Sequence, residues 1–246
     1  MKISIIKKYG FYLLGVVLIF AVWGISANII DNHYILPKLG IVFETLFKIL
    51  KTSNTYRIIF ATLLRLILII VFCLGLAVIL AFISKINKSI EEIITPIIVL
   101  CKTTPVVIFI VLLLIMVGRE KAPYIITGMV VLPLIYEAIM AGINNLDKDI
   151  LDEIKMISNV NFKVLLKIHL PLSWPFIKQA LLQSIGLGLK VLVMAEYLAL
   201  NKNSIGREIS FYRDFMMYEY IYAWAIILIV LVFTIEIIIR KFKKTN

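Results

Sequence analysis

Charged side chains within long apolar segments are the residues of this sequence that could carry chemistry. Arg65, Lys102, Glu137, Lys190 and Glu196 each lie in a stretch with few other charges. Ionisable groups are costly inside a membrane, and those that occur there usually face a protein interior or a water-filled cavity. The chemistry they indicate is the binding and passage of a polar solute.

Two of these charges are predicted to lie at a similar depth. Arg65 is seven residues into its apolar segment and Lys190 is ten residues before the end of its own. At 1.5 Å per residue these offsets are about 10 Å and about 15 Å, and both external ends should be nearby. Two cations at one depth favour an anionic solute. Glu196 could neutralise either cation, whereas Glu137 lies deeper toward the cytoplasm and too far from Lys190 to pair with it.

A polar stripe runs along the segment that contains Lys190. Gln179, Gln183, Gly186 and Lys190 follow at spacings of i, i+4, i+7 and i+11, which places them on one helix face. Gly186 and Gly188 would permit close contact with another helix. The face is either the wall of a translocation path or the seam of a dimer, with ordinary hydrogen bonding between helices as the alternative. The predicted path residues are Arg65, Gln179, Gln183, Gly186, Lys190 and Glu196.

Signatures of enzymes are absent from the sequence. It contains no G-x-x-x-x-G-K-[ST] phosphate loop, no Ser/His/Asp set in a hydrolase context and no cluster with metal-ligand spacing. Its two cysteines and two histidines form no recognisable ligand motif. We therefore predict no catalytic residues, no metal site and no cofactor.

The composition is that of a membrane protein. Hydrophobic residues make up 62% of the chain and charged residues only 17%, with a mean hydropathy of +1.02. So few charges cannot build a soluble surface around so much apolar mass. In a soluble protein a net charge of +11 would indicate nucleic acid. Here cationic loops that face anionic lipid headgroups explain it, and nucleic acid is not an expected partner.

Six segments are long and apolar enough to cross a bilayer as helices, so the expected fold is an all-α polytopic membrane protein with one permease domain over residues 1–246. Pro96 and Pro105 should bend or restart the third segment, whose crossing part could be only 104–117, with 91–103 near the interface. A cleaved signal peptide is the alternative for the first segment, but its 22 uncharged residues favour a retained anchor. The predicted spans are 9–30, 58–83, 93–117, 122–143, 174–200 and 221–239.

The distribution of lysine and arginine predicts the orientation. With the N-terminus inside, cytoplasmic segments hold more lysine and arginine than external ones, and both basic chain ends fall inside. The 144–171 loop is then cytoplasmic. Its apolar residues recur at helical intervals between charges, which predicts an amphipathic helix. Such a helix lies on the membrane surface, packs on the protein's own core, or docks a soluble partner.

This loop resembles the cytoplasmic signature of ABC-superfamily importer permeases, E-A-A-x3-G-x9-I-x-L-P, which forms the coupling helix that sits in a cleft of the ATPase subunit. The end of the motif matches residue for residue at the family's spacing, but Asp replaces the first Glu, Glu-Ile replaces the alanine pair, and Ser replaces the Gly. The residues in this frame are Asp152, Glu153, Ile154, Ser158, Ile168, Leu170 and Pro171.

The resemblance extends over most of the chain. Thr62-Leu63-Leu64-Arg65 is similar to the Ser/Thr-Leu-x-Arg that opens the family's second span, Ala195-Glu196 to its Ala-Glu near the end of span five, and Gly206 to a Gly before span six. The family uses the Arg65 position regardless of substrate, which favours a structural role for it. The subgroup most resembled is that of nitrate/sulfonate/taurine-type permeases.

The resemblance implies a type I ABC importer permease with six transmembrane helices and a cytoplasmic coupling helix. Such a permease is a homodimer in the bacterial plasma membrane, with two cytoplasmic ATPase subunits and an extracytoplasmic substrate-binding protein. The chain itself would hydrolyse nothing and would carry a small anionic or organic solute. The alternatives are an ion-coupled secondary transporter or channel, which needs repeated halves or broken helices around buried ligands, and a membrane scaffold.

Overall fold

The computed structural model describes residues 2–145 and 165–242, and within these ranges every regular element is a helix. The predicted all-α class is confirmed. A π-helical segment, Leu165–His169, and a helical turn, Leu170–Leu172, lead into the second range. The helices are α1 (Lys2–Ile30), α2 (Leu39–Lys51), α3 (Ser53–Ile86), α4 (Lys88–Thr103), α5 (Val106–Val117), α6 (Ala122–Asn144), α7 (Trp174–Ala199), α8 (Ile205–Asp214) and α9 (Tyr218–Phe242).

Four of these helices are long and apolar enough to cross a membrane. They are α3, α6, α7 and the Tyr218–Ile235 part of α9. The pair α4 and α5 adds a fifth if it is one bent span. In α1 the stretch Val17–Ile30 is apolar but shorter than a span. The described part of the chain thus holds four or five candidate spans where the sequence predicted six, and the first predicted span stays a prediction.

The third predicted span is not one straight helix. α4 and α5 meet at an angle of 101°. Thr104 between them is extended, with φ −72° and ψ 131°, as a residue before proline tends to be. Pro105 then precedes the first turn of α5, where no N–H donor is needed. Of the two prolines expected to bend this segment, Pro105 ends the helix, whereas Pro96 stays inside α4.

The chain divides into two compact units, Met1–Tyr56 with Ile209–Val230, and Arg57–Glu208 with Leu231–Asn246. In the second unit α6 packs along α7, and a buried cluster of α5, α6 and α7 side chains forms around Ile110, Ile126 and Ala195. Close packing of this kind holds helices together in lipid, where the hydrophobic effect between helices is lost.

Gly188 shows why the helices of the second unit approach so closely. A Cβ atom at this position would lie 3.0 Å from Leu66 and 3.2 Å from Val131, so α3 and α6 both pack directly over the bare backbone of α7. At Gly186, by contrast, a Cβ atom would meet nothing within 4 Å in this chain. The predicted close contact is therefore present at Gly188, and Gly186 faces open space.

Aromatic side chains organise the first unit. The Trp23 indole N–H donates to the carbonyl of Pro37 over 3.1 Å, and its ring centroid lies 4.9 Å from that of Tyr222. Tyr212 and Tyr220 stack with centroids 4.3 Å apart. Tryptophan and tyrosine concentrate where a membrane protein meets the membrane–water interface. An aromatic cluster of this composition is typical of that interface.

Candidate functional site

A buried ion pair lies at the centre of the second unit. Arg65 on α3 and Glu196 on α7 approach to 2.9 Å, with the glutamate side chain fully buried and the arginine 17% exposed. The Thr62 hydroxyl, one turn before Arg65, donates to the same carboxylate over 3.1 Å. The carboxylate is thus compensated in charge and in hydrogen bonding, as a buried ion requires.

The same arginine holds the loop between α7 and α8. Its guanidinium donates to the carbonyl of Lys202 over 3.0 Å and to that of Asn203 over 3.1 Å. Leu200 and Asn203 have left-handed backbone angles, with φ of 56° and 51°. The backbone N–H of Ile205, where α8 begins, donates to the Thr62 hydroxyl over 3.2 Å. These bonds join α3, α7 and α8 into one network.

This network changes the interpretation of the charges inside the membrane. Glu196 neutralises Arg65, so the guanidinium does not present a free cation to an anionic solute. Arg65 and Glu196 lie inside the unit, away from the exposed polar stripe. Of the two cations predicted at one depth, Arg65 is paired, and Lys190 is the one without an ion-pair partner among the described residues. The ion pair is compatible with the structural role that the resemblance favoured for Arg65, and that role stays a prediction.

The polar stripe of α7 lies on the outside of the chain. Gln179, Gln183 and Lys190 are exposed and Gly186 is half-buried. Within residues 2–145 and 165–242, no side chain forms a hydrogen bond or ion pair with the Lys190 ammonium group. Hydrogen bonding to the described residues therefore does not account for Lys190. On the single chain the stripe is exposed.

A second ion pair, which sequence reasoning missed, joins α4 to α6. The Lys102 ammonium group lies 2.8 Å from both carboxylate oxygens of Glu137. The side chains are 44% and 43% exposed. Each charge was recognisable on its own, but no spacing rule connects residues of two helices whose relative rotation is unknown. Glu137 does not pair with Lys190, as the estimated distance predicted.

The 144–171 loop begins and ends at one place in the second unit. A Cβ atom at Gly142, in the last turn of α6, would lie 2.6 Å from the Ser173 hydroxyl and 2.9 Å from its Cα. The start of α7 therefore packs against bare backbone at the end of α6. The predicted coupling residues Asp152, Glu153, Ile154 and Ser158 lie outside the described residues.

The end of the coupling motif is described. Ile168 and Leu170 are half-buried and Pro171 is exposed. His169 between them is buried, and neither ring nitrogen has a hydrogen-bond partner in the described part of the chain. Burial, together with the nearby charge of Lys85, lowers the pKa of His169. This histidine is therefore neutral at physiological pH and acts as part of the packed base of the loop.

The described residues show no arrangement that would hold a metal ion, since no three His, Cys, Asp or Glu side chains among them come together. Cys73 is buried and Cys101 half-buried, both as free thiols. An apolar groove of about 320 Å³ lies between α3, α7 and α9, lined by residues such as Leu66, Ile70 and Ile235. Its lining is almost entirely apolar, so the groove offers a polar ligand almost no hydrogen-bond partner. The polar chemistry of the unit lies in the two ion pairs and the α7 stripe.

Comparison with known proteins identifies a family. Residues 73–244 match a family model described as "Binding-protein-dependent transport system inner membrane component". The match covers well over half of the chain, including α6, the 144–171 loop and α7. A search of curated proteins found no significant match.

Proposed function

The chain belongs to the family of binding-protein-dependent transport system inner membrane components, and we propose that it is the membrane-spanning permease of an ATP-driven importer. The family is one of ABC transport permeases and not of enzymes, so ATP hydrolysis belongs to a separate subunit. The observation that carries the proposal is the family match over residues 73–244. The candidate spans α3, α6, α7 and α9 support it.

The 144–171 loop is the element proposed to couple transport to the ATPase. Its C-terminal residues Ile168, Leu170 and Pro171 fit the family's motif. The close contact of Gly142 with Ser173 supports the coupling role, because it gives the loop a rigid base. A displacement of the loop by the ATPase would then move the end of α6 and the start of α7 together. Asp152, Glu153, Ile154 and Ser158 are the residues proposed to enter the cleft of the ATPase.

A second copy of the chain is proposed to face α7. Exposed glutamines and a lysine are poorly suited to hydrocarbon, because unpaired polar and charged groups in a membrane face protein or water. A homodimer would turn the stripe of Gln179, Gln183, Gly186 and Lys190 toward an internal seam or path. The open space beside Gly186 in the single chain is consistent with a contact that a second copy completes.

The proposed solute is small and anionic or otherwise organic, delivered by an extracytoplasmic binding protein. With Arg65 neutralised by Glu196, Lys190 is the cation of the α7 stripe that remains to attract a negative group. The nitrate/sulfonate/taurine-type subgroup is proposed from the sequence resemblance. The bacterial plasma membrane with cytoplasmic chain ends is the proposed location.

The test is ATP hydrolysis by the purified assembly in lipid, stimulated by loaded binding protein. Glu153→Arg and Ser158→Arg add bulk and charge within the coupling frame, and we expect each to lower the stimulated rate at least tenfold while the chain stays folded. Lys148→Ala, in the same loop but ahead of the frame, is the matched control and should keep the stimulation. Unchanged stimulation in both frame variants would contradict the coupling role.

An ion-coupled transporter is the second candidate, and the 101° break between α4 and α5 favours it. Broken helices at membrane depth build the ion sites of many secondary transporters. The outcome that would select this candidate is solute uptake by the chain alone in proteoliposomes, driven by a sodium or proton gradient without any ATPase.

A further inference from the structure

The Lys102–Glu137 ion pair has no part in the proposed coupling and lies outside the α7 stripe. Its two contacts of 2.8 Å join the last turn of α4 to α6. Glu137 lies seven residues before the end of α6, which is about 10 Å along the helix. The pair therefore sits within a candidate span and not in a loop.

α4 has two different faces, and Lys102 is not on the one that suits lipid. Ile93, Ile97 and Leu100 form an apolar stripe with exposures of 64%, 55% and 61%. At about 100° per residue, Lys102 is turned about 140–180° away from this stripe. Ile98, one turn before Lys102, is 4% exposed and marks the protein-facing side. Lys102 therefore lies on the side of α4 that also carries the buried Ile98, although its own side chain is 44% exposed.

α6 fixes the other partner in the same way. Tyr136 is buried, and its hydroxyl lies 2.9 Å from the hydroxyl of Ser84 on α3. With Tyr136 anchored, the next residue, Glu137, is turned about 100° to the side that meets α4. Both charged side chains remain nearly half exposed there. Because ions at this depth avoid hydrocarbon, the space beside them is filled by water or by polar groups.

The break between α4 and α5 supports the same conclusion. Irregular backbone is tolerated at membrane depth where it is buried in protein or lines a water-filled cavity. The extended Thr104 peptide lies two residues after Lys102. The break is therefore compatible with an aqueous space beside the ion pair.

Unlike Arg65 and Glu196, the paired Lys102 and Glu137 side chains are both nearly half exposed, so a solute can reach them. We propose that Lys102 and Glu137 line the cytoplasmic part of the solute path and bind a solute that carries separated positive and negative charges. This inference rests on the proposed permease function. A purely anionic solute would pair with Lys102 and leave the Glu137 carboxylate without a cation. A zwitterionic solute gives its anionic group to Lys102 and its cationic group to Glu137, so that no charge is left alone.

The water-lined position is tested by cysteine labelling of the assembled transporter in membranes, after Cys73 and Cys101 have been replaced by alanine. We expect charged methanethiosulfonates to label Lys102→Cys and Glu137→Cys at least tenfold faster than Leu100→Cys, the matched position on the apolar stripe of α4. The cationic reagent should react faster at Lys102→Cys, where the carboxylate remains, and the anionic reagent faster at Glu137→Cys. The double variant Lys102→Cys/Glu137→Gln removes both charges. It shows whether slow labelling of a single variant comes from misfolding caused by an unpaired charge. Labelling as slow as that of Leu100→Cys in all three variants would overturn the proposal.

The solute class is tested by stimulation of ATP hydrolysis with the binding protein as isolated from cells, carrying its native ligand. For a zwitterionic solute, Lys102→Gln and Glu137→Gln should each lower the stimulation at least tenfold, and the charge-swapped Lys102→Glu/Glu137→Lys should keep it within about threefold, with equal thermal stability. Stimulation retained in Glu137→Gln but lost in Lys102→Gln would overturn the zwitterion assignment in favour of an anion. Cysteine labelling does not depend on the ATPase. If labelling is fast but the unaltered assembly shows no stimulation of ATP hydrolysis, the proposed function has failed.

Discussion

The Arg65 guanidinium and the Glu196 carboxylate lie 2.9 Å apart, although 131 positions separate them in the chain. The contact joins α3 to α7 within the second unit, and the remaining donors of the guanidinium hold the α7–α8 loop by its carbonyls. Arg65 and Glu196 thus act as a neutral structural unit. We therefore expect charges elsewhere in the span region to recognise the proposed solute.

Removal of one partner of this pair should destabilise the permease strongly. Arg65→Ala leaves a buried carboxylate without its cation, and we expect a loss of about 3–5 kcal/mol in the free energy of unfolding. The double variant Arg65→Ala/Glu196→Ala should lose less than the sum of the two single variants. Denaturant unfolding in mixed micelles measures all three. Glu44→Gln, which breaks the exposed Glu44–Lys48 pair of α2, is the control and should unfold like the unaltered chain. Additive losses would contradict the coupling of Arg65 to Glu196.

Gly206 should not tolerate a side chain. A Cβ atom there would overlap the backbone nitrogen of Tyr197 and the carbonyl oxygen of Val193, and would lie 2.7 Å from the Cβ of Glu196. Because backbone atoms cannot move aside as a flexible side chain can, we expect Gly206→Ala to cost about 1–3 kcal/mol. Thermal unfolding measures the loss. Gly75→Ala, on an open face of α3, should be neutral or slightly stabilising, and equal effects at both positions would refute the close approach.

The stability of the chain should fall in mild acid because of His169. Burial and the charge of Lys85 lower its pKa below the ordinary 6.5, so the folded state keeps the imidazole neutral while the unfolded chain protonates it. The contribution to stability is present above about pH 6.5 and is lost as the pH falls from there toward the lower folded-state pKa. Unfolding curves between about pH 7.5 and 5.5 should show this loss, and His169→Gln should reduce it. An unchanged pH dependence in His169→Gln would exclude this source.

The α7 stripe should meet its copy in a dimer. In a chain that lacks Cys73 and Cys101, we expect Gln183→Cys to form a disulfide-linked dimer on mild oxidation, because this exposed position faces the proposed seam. Phe72→Cys, on a 70% exposed apolar face of α3, is the control for random collision in the membrane. Gel mobility without reductant measures both. Equal cross-linking at the two positions would argue against a specific seam at α7.

Much of the fold could be predicted from apolar length and from proline. The segments of α3, α6, α7 and α9 were recognisable because few charges interrupt them, and Pro105 marked the break after α4. The short helix α2 was missed because it lies between two apolar segments, although its buried Val42, Thr45 and Ile49 follow a helical spacing that could have identified it.

The candidate site was less predictable, because it depends on how each helix is rotated. The sequence left Glu196 free to pair with Arg65 or with Lys190, and only the packing of α3 against α7 decides between them. The Lys102–Glu137 pair depends on the bend between α4 and α5, whose angle no residue pattern gives.

The proposed function depends on a 144–171 loop that lies in the cytoplasm and engages a separate ATPase. Ser158→Cys, in the chain without Cys73 and Cys101, is labelled in sealed vesicles of known orientation. We expect a membrane-impermeant maleimide to reach this cysteine from the cytoplasmic side alone, and added ATPase subunits to protect it. Labelling from the external side would contradict this placement of the loop.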